Sequence, residues 1–204
     1  MSLSPDDWFN RVKALEGVVF DFGGVMTVSP REGWDLYPYC AARGVDREAV
    51  ERGWKKYRHL WDGDFISFKE LYRRTFAEAG KTVSEDELAE LWEIDAVGWI
   101  RKPRTDTLEL MRRVKAAGKK IGILSNMSSD FYEKLFVPRM AEYRALADAE
   151  VISGLEKLFK PERPIYDLMA ARLSLEPSRL IFLDDTLLNV EAARLFGWQA
   201  EVYY

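Results

Sequence analysis

Val18-Val19-Phe20-Asp21-Phe22-Gly23-Gly24-Val25-Met26 is the stretch around which this 204-residue chain is organised. A short apolar run bounded by a turn signal reads as a buried strand rather than a helix. Here the run delivers a carboxylate directly onto a double glycine, and glycine permits positive φ and close approach of a ligand to the backbone. In sheets of parallel strands, ligands bind in the crevice beyond the carboxyl ends. Asp21 therefore stands where chemistry is done, although a buried strand closing in an ordinary turn would give the same local pattern.

The next run of this kind, Lys120-Ile121-Gly122-Ile123-Leu124 ending at Ser125-Asn126, lies far downstream. A connection between parallel strands normally spends about 2–6 residues on either side of one helix. One suitable helix runs from Thr105 or Asp106 through Leu108, Met111 and Val114 to Gly118. Asp106 and Glu109 have the spacing of a capping box, and Gly118 suits the position just past the last turn. Everything from about Pro30 to Arg101 is surplus to that crossover and reads as an inserted helical module. Segments 34–43, 46–61, 67–79 and 84–99 have helical spacing, with breaks at Gly44, Asp62-Gly63-Asp64 and Gly80 and a capping pair at Ser84 and Glu87. Five of the seven tryptophans (34, 54, 61, 92 and 99) sit in this module. At helical spacing they read first as the packing of a small bundle, with some able to line a pocket at its base.

Residues 1–16 suggest a short amphipathic helix (Trp8, Val12, Leu15). Beyond Asn126 a helix through Phe131, Leu135 and Phe136 meets Pro138, and a second piece carries Met140, Tyr143 and Leu146. A strand at Glu150–Ile152 ends in Ser153-Gly154, and a loop bears Lys160-Pro161. A helix then starts near Pro161–Pro164 and runs to Leu173. Leu180-Ile181-Phe182-Leu183 delivers Asp184-Asp185, a helix closes at Gly197, and 199–203 forms a last strand. This alternation predicts an α/β fold: a doubly wound parallel sheet, Rossmann-like, from residues 1–29 and 101–204, with an all-α cap over 30–100.

A formal charge of -4 gives no basic footprint for nucleic acid. Apolar runs are too short to span a bilayer, so no membrane partner is expected. Cys40 is the single cysteine, which rules out an internal disulfide and fits a cytoplasmic protein. A single histidine, His59, excludes a multi-histidine metal site.

Asp21, Ser125, Lys160 and Asp184-Asp185 each follow a predicted strand, so a doubly wound sheet gathers them on one edge. Clustered carboxylates repel one another and raise each other's pKa. A hard cation such as Mg²⁺, bound through carboxylate oxygens, would relieve this. A carboxylate next to such a cation and a lysine is a competent nucleophile for phosphoryl transfer.

These residues resemble the motifs of the haloacid dehalogenase-like hydrolase superfamily over residues 17–203. Phe20–Val25 is similar to its first motif and Ile121–Asn126 to its second. Lys160-Pro161, with Ser153-Gly154 upstream, is similar to the third, and Leu180–Asp185, continuing through Asn189 and Glu191, to the fourth. The resemblance implies Asp21 as nucleophile, with Ser125, Asn126, Lys160 and Gly24 around a phosphate. It also implies Asp21, Asp185, Asp184 and the Gly23 carbonyl around Mg²⁺, under a helical cap of the C1 type. Asp-Phe-Gly-Gly-Val looks like a subgroup that includes sugar-1-phosphate phosphatases, which makes a small phosphorylated metabolite the expected partner.

One departure matters. Phosphatases of this superfamily usually carry a second Asp two residues after the nucleophile, and here that position is Gly23. General acid–base assistance contributes about 10²–10⁴ in rate, so its absence must be met in some way. Three readings follow: a Mg²⁺-dependent phosphatase whose proton comes from elsewhere, a 2-haloacid dehalogenase whose leaving halide needs no proton, or a weakly catalytic binding module. Glu32, Asp35, His59, Asp62 and Asp64 are the inserted polar residues able to stand in, although His59 on a charged helix also reads as plainly solvated.

Overall fold

The computed structural model of the protein describes residues 4–30 and 34–203. Ser4 opens α1 (Pro5–Val12) with a capping box, its hydroxyl accepting from the Asp7 N–H and the Asp7 carboxylate accepting from the Ser4 N–H. β1 (Gly17–Phe20) follows, buried throughout. The inserted segment is helical: α2 (Leu36–Ala41), α3 (Arg47–Asp62), α4 (Phe68–Glu78), α5 (Glu85–Leu91), a π turn over Trp92–Ala96 and a 3-10 turn over Gly98–Ile100. Asp46, Ser67 and Ser84 cap α3, α4 and α5 by accepting from N–H groups three residues on, which satisfies donors that the first turn leaves open.

α6 (Thr105–Ala116) leads into β2 (Lys120–Ser125). Then come α7 (Ser129–Phe131), a π turn over Tyr132–Phe136, α8 (Val137–Arg139), α9 (Ala141–Arg144), β3 (Ala149–Ile152) and α10 (Ser153–Glu156). α11 (Arg163–Leu173), β4 (Leu180–Asp184), α12 (Leu187–Leu195) and β5 (Gln199–Val202) complete the chain.

The described strands form one parallel sheet in the order β3-β2-β1-β4-β5. Because successive side chains alternate between faces, Val18 and Phe20 join Ile121, Ile123, Ile181 and Leu183 under α1 and α6. Val19 joins Leu124, Val151 and Phe182 under α11 and α12. The first of these cores runs without a break into the insertion, taking in Trp61, Leu71 and Phe76. The doubly wound α/β fold with a helical insertion is therefore what the molecule adopts. No helix among the described residues is long and apolar enough to cross a membrane.

Local details differ from the sequence expectation. Asp106 makes no capping box with Glu109, because Arg104 holds the N-cap position in an extended conformation. The Asp106 carboxylate instead pairs with Arg104 at 2.7 Å. The segment expected as one helix over 84–99 passes into the π turn, which turns Asp95 inward to accept from the Tyr72 hydroxyl at 2.6 Å. The helix after Lys160 begins at Arg163, with Pro164 in its first turn.

α3 and α4 cross where Gly53 faces Thr75, and a Cβ on Gly53 would lie 2.5 Å from Thr75 Oγ1. Gly53→Val is expected to cost about 1–3 kcal/mol by overpacking. In urea unfolding this lowers the midpoint while the slope stays unchanged; an unshifted midpoint would show that the crossing relaxes freely.

Candidate active site

Register brings the polar groups together. Phe20 pairs with Ile123 on one side and Leu183 on the other, and the Asp21 N–H continues the ladder to Leu183 O at 2.9 Å. Asp21 and Asp184 thus leave neighbouring strands, β1 and β4, at the point where the strand order reverses. Asp21, Asp184 and Asp185 offer carboxylate oxygens that all lie within 4.8 Å of one another. Lys160 enters from the loop between α10 and α11, donating to Asp21 Oδ1 at 2.6 Å and Asp184 Oδ2 at 2.7 Å. Asp184 also accepts from the Thr186 N–H at 2.7 Å and from Asn189 Nδ2 at 3.1 and 3.2 Å.

The Asn126 side chain is committed to the Lys160 peptide, donating to Lys160 O and accepting from Lys160 N, each at 3.0 Å. It holds the lysine loop in place, so anything it offers to a phosphate comes from its main chain. Ser125, at the end of β2, lines the same cavity as Asp21 and Lys160. Gly24, with φ of +80°, backs onto Asp185, where any Cβ would overlap the carboxylate. It borders a neighbouring cavity rather than the one around Asp21.

Burial pushes the Asp21 carboxyl up to about 7; the Lys160 charge draws it down, while the Asp184 and Asp185 charges push it up. The Lys160 pKa is raised too: burial alone would lower it, but Asp184 and Asp21 hold its ammonium well above the ordinary lysine value. Three carboxylates gathered this closely offer an all-oxygen donor set, which fits a hard divalent cation.

The cavity, of about 340 Å³, is roofed by the insertion. Trp99 lies over Gly23, with two ring carbons 3.0 and 3.2 Å from where a Cβ on that glycine would stand. Trp54 stacks on Trp99, ring centroids 6.1 Å apart at 14°. The Arg58 guanidinium sits 4.3 Å from the Trp54 ring, 4.6 Å from Trp61 and 5.8 Å from Trp99. Arg58 Nε donates to Asp62 Oδ1 at 2.7 Å. Positions 54, 58, 61 and 62 share one face of α3 by helical spacing; that spacing was readable in the sequence, but the packing of a guanidinium among three rings was not.

Of the five residues read from sequence as able to stand in for the acid, Asp62 alone among those described lines the cavity with Asp21. Asp35 borders the neighbouring cavity. His59 is exposed. Asp64 accepts from the Ser129 N–H at 3.0 Å and pairs with Lys157 at 3.3 Å. Glu32 lies outside the described residues.

A family model for haloacid dehalogenase-like hydrolases matches residues 15–197. The chain is 26% identical over 194 residues to acyl-CoA dehydrogenase family member 10 of Mus musculus, spanning 91% of this chain and only 17% of that protein's length. It is 26% identical over 202 residues to (S)-2-haloacid dehalogenase H-109 of Pseudomonas putida, covering 92% of this chain and 84% of that one. In three dimensions it resembles a HAD family enzyme from Bacteroides thetaiotaomicron in its magnesium complex, with a TM-score of 0.71 at 18% identity over 93% of both chains. A mutant of that enzyme with magnesium and inorganic phosphate gives 0.68, also at 18% identity, over 92% of this chain and 93% of the other. These structural likenesses establish the fold alone.

The raised Asp21 pKa has a stability consequence. Between the ordinary carboxylate value of 3.8 and about 7 the native protein holds a proton that the unfolded chain has released. Without metal, this group therefore withdraws stability as pH rises across that window. In EDTA, the melting temperature of Asp21→Asn minus that of the wild type is expected to grow from pH 5 to pH 7.5. Millimolar Mg²⁺ is expected to raise the wild-type melting temperature more at pH 7.5 than at pH 5, because the proton competes with the cation. A difference that does not change with pH contradicts this electrostatic account.

Proposed function

This chain belongs to the haloacid dehalogenase-like hydrolases, and we propose that it is a Mg²⁺-dependent phosphohydrolase acting on a small phosphomonoester such as a sugar phosphate. The observation that carries the reading is the clustering of Asp21, Asp184 and Asp185, with the Lys160 ammonium paired to the first two, beside a small cavity that Asp21, Lys160 and Asp185 line. Asp21, Asp185, the Gly23 carbonyl and, directly or through water, Asp184 would hold the cation. Bound there, Mg²⁺ would neutralise charge on the phosphoryl oxygens.

In this reading the free carboxylate oxygen of Asp21 attacks phosphorus and forms an aspartyl phosphate, which water then hydrolyses. Lys160 keeps Asp21 oriented and offsets charge on the transferring group. Ser125 and main-chain N–H groups around Asn126 donate to the phosphoryl oxygens. Trp54 and Trp99 exclude bulk water from the reacting atoms. The Asp-Phe-Gly-Gly-Val stretch and the modest cavity favour a compact substrate, and an anomeric phosphate leaves more readily than an alkyl one.

Dehalogenation is the second reading, supported by the haloacid dehalogenase relatives and by a glycine where a leaving oxygen would want an acid. The Asp184-Asp185 pair opposes it, since a 2-haloacid carboxylate would enter beside two clustered acids. A non-catalytic binding role has no need of all four charged groups.

A panel of phosphomonoesters assayed with Mg²⁺ and with EDTA is expected to show turnover only with metal, and Asp21→Asn to lower it by at least about 10³-fold. No turnover of any phosphomonoester, or halide release from 2-chloropropionate in EDTA, would overturn the phosphohydrolase reading.

A further inference from the structure

The structure closes position 23 and opens another. A Cβ on Gly23 would stand 3.0 and 3.2 Å from two Trp99 ring carbons, so the insertion crowds the space in which an acid two residues after Asp21 would work and the ring would have to give by a few tenths of an ångström to admit one. The titratable groups among the described residues lining the cavity are Asp21, Arg58, Asp62, Lys160 and Asp185. In the phosphohydrolase reading Asp21 would be taken by the phosphoryl group and Asp185 would hold the cation. Arg58 does not release a proton in a protein. Lys160 is clamped between two carboxylates that hold its proton in place. Asp62 remains.

Its placement suits the task. Asp62 ends α3, buried, with one carboxylate oxygen on Arg58 Nε at 2.7 Å. The other oxygen accepts no hydrogen bond from the described residues. Ser153 Oγ donates to the Asp62 main-chain carbonyl at 2.7 Å and accepts from the Met127 N–H at 2.9 Å, which fixes the residue to the chain just past Ser125. Burial raises the Asp62 carboxyl above the ordinary range, against the pull of the Arg58 and Lys160 charges.

We propose that Asp62, carried on the insertion and oriented by Arg58, is the acid–base residue of this site in place of the side chain missing at Gly23. The proposal rests on the phosphohydrolase reading. In the first step an Asp21 carboxylate oxygen bonds to phosphorus and the bond from phosphorus to the leaving oxygen breaks. Its electron pair stays on that oxygen, which takes the proton of the Asp62 carboxyl and departs as an alcohol. In the second step the Asp62 carboxylate takes a proton from water as the water oxygen bonds to phosphorus. The bond from phosphorus to Asp21 breaks, its pair returns to Asp21, and inorganic phosphate leaves with Asp62 reprotonated.

The test is a leaving-group series, substituted aryl phosphates through to an alkyl phosphate, measured with Mg²⁺ for wild type, Asp62→Asn and Asp62→Glu. In the wild type kcat/KM is expected to depend weakly on leaving-group pKa. Asp62→Asn keeps an oxygen for Arg58 but has no acidic proton to give. Its loss in kcat/KM is expected to be severalfold for p-nitrophenyl phosphate and about 10²-fold or more for the alkyl ester. With p-nitrophenyl phosphate it is also expected to show a burst of about one p-nitrophenolate per site, because the aspartyl phosphate has lost its base and accumulates. Asp62→Glu is expected to retain the weak dependence.

An equal loss for every substrate, without a burst, would make Asp62 only a structural partner of Arg58. A steep leaving-group dependence in the wild type overturns the proposal even where neither variant folds. Wild type inactive on every phosphate refutes the phosphohydrolase reading itself and takes this proposal with it.

Discussion

A buried ammonium between two buried carboxylates is the constraint on which the molecule is arranged. The Lys160 side chain is 2% exposed, and an isolated charge at that depth is strongly disfavoured unless paired and hydrogen-bonded. Its pairing draws on β1 for Asp21, β4 for Asp184 and the loop after α10 for the lysine itself, so three separate parts of the chain must be in register before it is satisfied. Asn126 at the end of β2 secures the lysine's peptide, and Asn189 with the Thr186 N–H secures Asp184. Removing either carboxylate leaves the ammonium less compensated in a buried surrounding, with the Phe182 ring centroid 5.2 Å away. The position of the sheet's polar edge is thus fixed by electrostatics, while the apolar faces fix the sheet.

The fold was legible in the sequence because parallel strands buried on both faces are short continuous apolar runs, and the runs at 18–20, 121–124 and 180–183 had little else to be. That Asp21, Ser125, Lys160 and Asp184-Asp185 would meet was legible for a related reason: each stands immediately beyond such a run or in the loop after one. The contents of the cavity roof were not legible. Whether Trp99 covers Gly23 depends on how a π turn at 92–96 and a 3-10 turn at 98–100 deliver the ring, and helical periodicity carries no information on either. Asp106 shows a similar limit, since its spacing to Glu109 fitted a cap but the nearby Arg104 competes for the carboxylate.

The two halves of the cavity are chemically unlike. The sheet edge contributes charge, hydroxyl and main-chain donors, whereas the insertion contributes aromatic surface and the Arg58–Asp62 pair. A guanidinium flanked by three indole rings is held by cation–π attraction as well as by its carboxylate, which confines its orientation more than an ion pair alone would. Shape and polarity for a substrate are therefore set on opposite walls by segments far apart in sequence.

Sequence position and mechanical membership diverge at the end of α3. By order along the chain, residues 62–64 belong to the insertion. By their bonds they belong to the sheet: Ser153 holds the Asp62 carbonyl, Lys157 the Gly63 carbonyl at 3.0 Å, and the Ser129 N–H the Asp64 carboxylate. Any excursion that lifts the helices away from the strands must bend ahead of this anchor or tear it. Asp62 is thus held at its depth by bonds to the chain beyond β2 and β3 as well as by the helix that carries it.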